Sequence, residues 1–363
     1  MADLRQQEVL KNQLSTLSTS LGGNLPLDDA IRDGKFFPEG MVVKSIHSHG
    51  MSAWSFTIKI EAIDKEGKAV AFFAKYVAGN LGRRQLEGEY MGMKELHKLA
   101  PGFVPKPIAW GELKSIVSAT YFLLMEFRDF VLGLPNPVKL GKRLAEMHKK
   151  SESPTGMFGF GIQTFDGARL QSVSWDPSWT SFFSKLLAEA YRQDTETNGV
   201  WPELKVAFER VQSHLIPRLL GVLETDGNSV KPCLIHGDLW DGNVATDANT
   251  GDPVIFDCGA YYAHNEMELG IWRAERHELR DKVYRREYLR NFEPSEPEEE
   301  WDDRNRLYSA KTNFMHSACY AGSPARQLAF DDFVYLIHKY VPWDEGSTEW
   351  IQVRGLVQRE QSF

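Results

Sequence analysis

Residues 234–243 read "LIHGDLWDGN". Two apolar residues run into a short, Gly-punctuated stretch that packs His236, Asp238, Asp241 and Asn243 together. A solvated turn can look like this, and so can a site for metal and phosphate. A second carboxylate tips the balance: Asp257 follows the strand-like run "VIF" (254–256), fourteen residues past Asn243. Phosphoryl transfer from ATP needs a carboxylate to orient the attacking hydroxyl and oxygen ligands to hold Mg²⁺ against the phosphates. Mg²⁺ keeps several waters, so one amide and one carboxylate from the protein suffice. Asp238 fits the first role, and Asn243 and Asp257 fit the second. His236 is expected to pack or hydrogen-bond behind the loop.

A nucleotide site also needs a cation against the phosphates, and the region upstream supplies a candidate. Lys75 sits inside the apolar run "AVAFFAKYV" (69–77), where an unpaired ammonium would be costly. Glu89, on the helix that follows, shares a face with Met93 and Leu96, and a strand Lys paired with a helix Glu positions phosphate in kinases. Glu87 competes as the partner, and a solvent-facing lysine on an edge strand is the plainer alternative. "LLMEFRD" (123–129) ends the last strand of this region, and the main chain at Glu126, Phe127 and Arg128 suits a hinge that reads an adenine edge. "HSHGMSAW" (47–54) lacks a Gly-rich motif, though Gly50, Ser52 and Ala53 would let backbone N–H groups approach phosphate. An ordinary hairpin turn explains it equally well.

The order of elements frames these residues. "FTIKI" (56–60), "AVAFFAKYV" and "ATYFLLMEF" (119–127) read as strands, the last buried on both faces. "LEGEYMGMKELHKL" (86–99) keeps a helical period through Leu86, Tyr90, Met93 and Leu96. "PNPV" (135–138) breaks the chain, after which helices dominate. "VKLGKRLAEMHKK" repeats Leu140, Leu144 and Met147; "WDPSWTSFF" opens a helix with Asp176 as N-cap and Pro177 at its first position; Pro217 should divide the helical stretch 203–223. The expected fold class is α+β, a protein-kinase-like two-lobed fold. An N-terminal antiparallel β-sheet lobe of about five strands with one helix precedes a larger helical lobe. Residues 1–128 form the nucleotide-binding lobe ending in the hinge, and 129–363 the helical lobe with catalytic loop and substrate site.

Composition narrows the function. With 363 residues, two lobes are the default. Lys plus Arg total 42 against 50 for Asp plus Glu, a formal net charge of −8, which argues against nucleic acid as partner and suits small or cationic substrates. The polar N-terminal "MADLRQQEVLKNQLSTL" lacks the apolar core of a signal peptide, and no apolar run is long enough for a membrane span. Cys233, Cys258 and Cys319 form no Cys-x-x-Cys pair, so neither a disulfide framework nor a zinc site is expected. The chain reads as soluble and cytoplasmic, and the acidic run 293–303 as a solvated loop.

"HGDLWDGN", "VIFDCGAYYAHNEMELG", "SPTGMFGF" and "WDPSWTSFF" together resemble the fructosamine-3-kinase (ketosamine-3-kinase) family. That family lies in the aminoglycoside-phosphotransferase and choline-kinase branch of the kinase-like fold, and the arrangement is most similar to fungal protein-ribulosamine 3-kinases. The resemblance covers residues 40–345 or so. It implies ATP- and Mg²⁺-dependent phosphorylation of the 3-hydroxyl of a ketosamine, on a small amine or a glycated protein lysine, as a deglycation repair. It also implies Asp238 as the catalytic aspartate, Asn243 and Asp257 as metal ligands, Lys75 as the nucleotide lysine and Glu126–Arg128 as the hinge. Two departures stand out: the phosphate loop lacks paired glycines, and "FDCGA" replaces the family's more usual Asp-Pro-Ala.

Trp240 stands where it could stack on a sugar or brace the loop from the core. His264, Glu266 and Glu268 could touch loop or substrate, although capping the following helix is the simpler role. Other readings are a kinase of another amine-bearing alcohol and a silent nucleotide-binding adaptor. A protein kinase is disfavoured, because the short span from Asp257 to Glu266 leaves no room for an activation loop.

Overall fold

The computed structural model describes residues 2–51, 55–114, 119–225, 227, 229–349 and 351–353. Ser52 and Ala53 of the expected phosphate loop lie outside the described residues. By packing, the chain divides into two units: residues 1–135, 162–168 and 242–260, and residues 136–161, 169–241 and 261–363. Elements are numbered along the chain.

The first unit holds α1 (Ala2–Ser20), α2 (Asp29–Asp33), β1 (Val42–Met51), β2 (Phe56–Ile63), β3 (Ala69–Ala78), α3 (Gly79–Leu99), β4 (Pro107–Glu112) and β5 (Thr120–Glu126). Its strands form a five-stranded antiparallel sheet in the order β1-β2-β3-β5-β4. β3 is therefore central, and Lys75 does not lie on an edge. Alternation sorts the faces. Phe56, Ile58 and Ile60 of β2 and Ala74 and Tyr76 of β3 join Leu10 and Leu14 of α1 in one core. α3 packs against β3, β4 and β5. With both faces covered, β5 is buried from Thr120 to Met125, which explains its unbroken apolar run.

The segment 242–260 joins this unit through hydrogen bonding. β6 (Phe130–Val131) pairs with β10 (Val244–Asp247), which pairs with β11 (Pro253–Ile255), and Ile255 N–H donates to the Phe103 carbonyl. Arg128 clamps the same ladder by donating to Asp247 (3.2 Å). Glycines on α3 permit the approach. A Cβ on Gly92 would lie 2.7 Å from Cys258 Sγ, and one on Gly88 would lie 2.4 Å from the Gln163 carbonyl oxygen. β7 (Phe165–Asp166) belongs here too.

The second unit comprises α4 (Pro137–Lys150), β8 (Arg169–Leu170), α5 (Trp179–Asn198), α6 (Pro202–Arg210), α7 (Ile216–Leu220), β9 (Cys233–Ile235), β12 (Tyr261–Ala263), α8 (Lys282–Leu289), α9 (Trp301–Cys319) and α10 (Ala325–Tyr340). Pro217 divides the 203–223 stretch as expected: a π-turn at Val211–Leu215 separates α6 from α7. The start of α5 differs from the expectation. Ser178 is the N-cap, accepting from Ser181 N–H, and α5 begins at Trp179, after Pro177. Asp176 instead accepts from Ser178 N–H, Ser181 Oγ and Lys185.

α9 packs against α5, α10 and the 3₁₀ segment Asn265–Arg273, so its polar residues are buried and must be satisfied internally. Arg304 forks onto Glu266 (2.8 and 3.0 Å), and Lys311 donates to Gln171 (2.6 Å). Among the described residues no helix is long and apolar enough to cross a membrane.

Candidate functional site

In the first unit, Lys75 Nζ donates to both carboxylate oxygens of Glu89 (3.1 and 2.9 Å) and to Asp257 Oδ1 (2.8 Å). The partner of Lys75 is thus Glu89 and not Glu87. Lys75 and Glu89 are nearly buried, whereas the Asp257 side chain keeps 37% of its exposure and is the member that reaches solvent. Burial opposes the Lys75 charge, but Asp257 and Glu89 outweigh it and hold the ammonium above the ordinary lysine range. Burial also dominates at Glu89; Lys75 opposes it and the like charge of Asp257 adds to it, so the carboxyl is pushed up to about 8. The two carboxyl groups crowd one ammonium, and a cation at Asp257 would relieve their mutual repulsion.

Asp257 has φ 60, a left-handed conformation that costs a non-glycine residue about 1 kcal/mol. Main-chain contacts hold it there. Asn243 Nδ2 donates to the Asp257 carbonyl (3.2 Å), and Phe256 N–H donates to the Asn243 carbonyl (3.0 Å). The first bond fixes the Asn243 amide, with its oxygen on the opposite arm from the bonded nitrogen. The donors available to a cation are therefore hard oxygens. Cys258 does not join them: its buried thiol faces the Glu89 carbonyl (3.9 Å), and burial raises its pKa well above the usual thiol range. Among the described residues no three His, Cys, Asp or Glu side chains form a cage for a metal ion. An ion held by Asn243 and Asp257 would complete its shell with water and phosphate, as Mg²⁺ does.

In the second unit, the loop after β9 is set by Glu268, the loop contact that the sequence allowed while favouring a helix cap. Buried Glu268 accepts the N–H groups of His236 (2.5 Å) and Gly237 (3.0 Å). His148 on α4 brings Nε2 to 3.5 Å from Glu268, and its Nδ1 meets the Tyr288 hydroxyl at 2.8 Å. Burial opposes the Glu268 charge, but His148, His236 and the His236 N–H outweigh it and hold the carboxyl below the ordinary range. The His236 ring lies inside and accepts from Asp238 N–H (3.3 Å), which matches its expected supporting role. Trp272, fully buried, donates to the Leu239 carbonyl (2.7 Å). The tryptophan that braces this loop from the core is thus Trp272, and Trp240 is 36% exposed beside His277.

Other expected site residues land elsewhere. His264 is 1% exposed, with Nδ1 at Tyr308 and Nε2 at Ser295 (both 2.9 Å), so as a substrate contact it is corrected to a packing residue. Its side chain does not cap the following 3₁₀ segment. Glu266 is consumed by Arg304 and the Ser295 N–H. At the hinge, Glu126 N–H donates to the Lys106 carbonyl (2.9 Å) and Phe127 N–H to the Ala71 carbonyl (3.4 Å). Those two amides are engaged within the sheet, so a purine edge would use other main-chain groups of the segment. The sequence signals for this buried support were faint but present. Glu268 is a charge between Met267 and Leu269, and His148 lies four residues beyond Leu144 on the apolar face of its helix.

A five-stranded antiparallel β-sheet unit with a strand-to-helix Lys–Glu pair and a mainly helical second unit are the parts of the kinase-like fold. Aminoglycoside phosphotransferase APH(4)-Ia, crystallised with AMP-PNP and hygromycin B, shares this fold: TM-score 0.54, 15% identity, over 82% of this chain and 94% of that one. The chain belongs to the fructosamine kinase family, whose model matches residues 57–329. A crystal structure from Thermobifida fusca assigned as a fructosamine-3-kinase gives a TM-score of 0.65 at 22% identity, covering 82% of this chain and 95% of that one. The chain is also 34% identical to protein-ribulosamine 3-kinase, chloroplastic, from Oryza sativa subsp. japonica, over 56% of each chain. It thus spans little more than half the length of that curated relative.

Proposed function

We propose that this protein is an ATP-dependent kinase of ketosamines, transferring phosphate to the 3-hydroxyl of ribulosamine or fructosamine adducts on small amines or protein lysines. The observation that carries the reading is the Lys75–Glu89–Asp257 cluster with the Asn243 amide fastened to the Asp257 main chain. The family model and the ribulosamine kinase relative support the acceptor class. Glu89 holds Lys75 in place for the nucleotide phosphates. Asn243 and Asp257 would hold Mg²⁺, which supplies neutralisation of the phosphate charge when bound. Asp238, anchored through His236 and the Glu268-bound backbone, orients the acceptor hydroxyl and accepts its proton. Because the transition state is loose, this carboxylate acts mainly by position.

In this proposal residues 1–128, ending at the Glu126–Arg128 hinge, bind the nucleotide, and 129–363 carry the acceptor site, with Trp240 exposed beside the loop for a sugar face. The proposed site of action is the cytoplasm. Purified protein with Mg-ATP is to be offered ribulose-lysine, fructose-lysine, choline and an aminoglycoside. Phosphate transfer to the ketosamines is expected, and transfer to choline alone would refute the reading. Asp238→Asn should abolish turnover while leaving ATP affinity within about twofold.

A further inference from the structure

The second unit contains a surface cavity of about 480 Å³ between α8 and the start of α9. Lys282, Arg285 and Arg286 line it from α8 and Arg290 from the residue that ends it, facing Trp301 and Asp302 of α9. In a chain of net charge −8, this is a local reversal of sign.

The cations exceed their partners. Arg286 and Arg290 share a single carboxylate, Glu287, at 3.5 and 2.7 Å. Asp302 is occupied by Arg273 (2.7 Å). Among the described residues neither Lys282 nor Arg285 has a carboxylate at ion-pair distance, and Arg285 donates to the Asn305 amide oxygen (3.3 Å). Burial, with Arg273 adding, pulls the Arg285 pKa below its usual value, while Asp302 opposes this. Asn305, buried behind the wall, takes Arg285 on its amide oxygen and fixes the direction of that guanidinium. A partly buried guanidinium without a carboxylate is a costly feature that a bound anion would relieve.

The wall indicates what kind of anion. Guanidinium forks match the oxygens of a phosphate, and three arginines converge on one cavity. Leu289 and the Trp301 ring add apolar surface, so the anion should carry an organic body. The volume is that of a small-molecule site. An extended acidic peptide fits worse, because Glu298–Glu300 immediately precede Trp301 and would repel it. We propose that this cavity binds a small organic phosphate monoester, its dianion on Arg285, Arg286 and Arg290 and its body against Trp301 and Leu289.

The test is calorimetric titration of the full chain, with Mg-AMP-PNP present to fill the nucleotide site. The probes are glucose 6-phosphate, inorganic phosphate, glucose and a hexaglutamate peptide. Saturable, single-site binding of glucose 6-phosphate is expected, at least about tenfold tighter than inorganic phosphate, with no binding of glucose. Arg285→Ala should weaken it about tenfold or more. Should that variant fail to fold, the exposed pair Arg286→Ala and Arg290→Ala should do the same with unchanged circular dichroism. Trp301→Ala, which removes the apolar wall, should weaken glucose 6-phosphate binding about threefold or more while leaving inorganic phosphate unaffected. Absence of saturable glucose 6-phosphate binding would overturn the proposal. So would equal affinity for inorganic phosphate, unchanged affinity in the arginine variants, or tighter binding of hexaglutamate.

Discussion

Replacing Glu268 tests whether the loop holding Asp238 is positioned from behind. Glu268 is 2% exposed and accepts two backbone N–H groups, from His236 and Gly237. Alanine would orphan both donors at about 1–3 kcal/mol each, a large share of the roughly 5–15 kcal/mol that holds a domain folded. Glutamine is the sharper probe. Its one amide oxygen satisfies one N–H, while its NH₂ group meets the other donor head-on, so the expected loss of stability is about 1.5–3 kcal/mol. Displacement of the loop should then lower kcat about 10- to 100-fold, with KM for Mg-ATP within about twofold, because Lys75 and Asp257 are untouched.

Acid titration supplies a second readout. The folded Glu268 carboxyl lies below its unfolded value near ~4.3, so its stabilisation is complete above that pH and is lost as pH falls through the folded value. Urea unfolding across the acid range should therefore show a shallower acid loss in Glu268→Gln than in the parent. Wild-type kcat in this variant, or an effect confined to KM, would refute the positioning role.

Four further outcomes follow from the same geometry. Lys75→Met leaves Glu89 and Asp257 facing each other without their ammonium; Mg-ATP affinity should fall by at least about tenfold, read by calorimetry, and kcat by about 100-fold or more. Gly92→Ala drives a Cβ to 2.7 Å from Cys258 Sγ, next to Asp257, and should cost about 1–3 kcal/mol in urea unfolding along with turnover. His264 is held down to about 4 chiefly by burial, with Arg304 adding, so the folded state resists its protonation. Its stabilising contribution is full above ~6.5 and fades as pH drops from there toward ~4, by up to about 3 kcal/mol, and His264→Gln should flatten that part of the stability profile. Trp240→Ala should raise KM for the ketosamine several-fold (about 1 kcal/mol of stacking) without changing Tm, since the ring is not core.

Sequence spacing alone carried the loop, the strand and the following carboxylate, because Asp238, Asn243 and Asp257 lie within one short covalent span whose residue types admit few other uses. It also carried Lys75, since an ammonium inside an apolar strand must find a carboxylate, and the elements alternate strongly enough to assign the fold class. Local pattern could not choose among competing local partners. Glu87 and Glu89 both neighbour the right helix turn, and only the packing of α3 on β3 turns Glu89 onto Nζ. Ser178 displaced Asp176 as N-cap because Asp176 is taken by Lys185 and Ser181.

Other features depend on contacts between residues far apart in the chain, which no motif encodes. Glu268 reaches the loop from thirty-two positions beyond His236, and His148 reaches Glu268 from another helix. The tryptophan that braces the loop, Trp272, is found only where its buried indole meets the Leu239 carbonyl, thirty-three positions away in the chain. The chemistry of the candidate site was written locally because reacting groups must be few and specific in kind. Its support was decided by tertiary structure, because a buried hydrogen bond requires only a donor and an acceptor brought together, from anywhere along the chain.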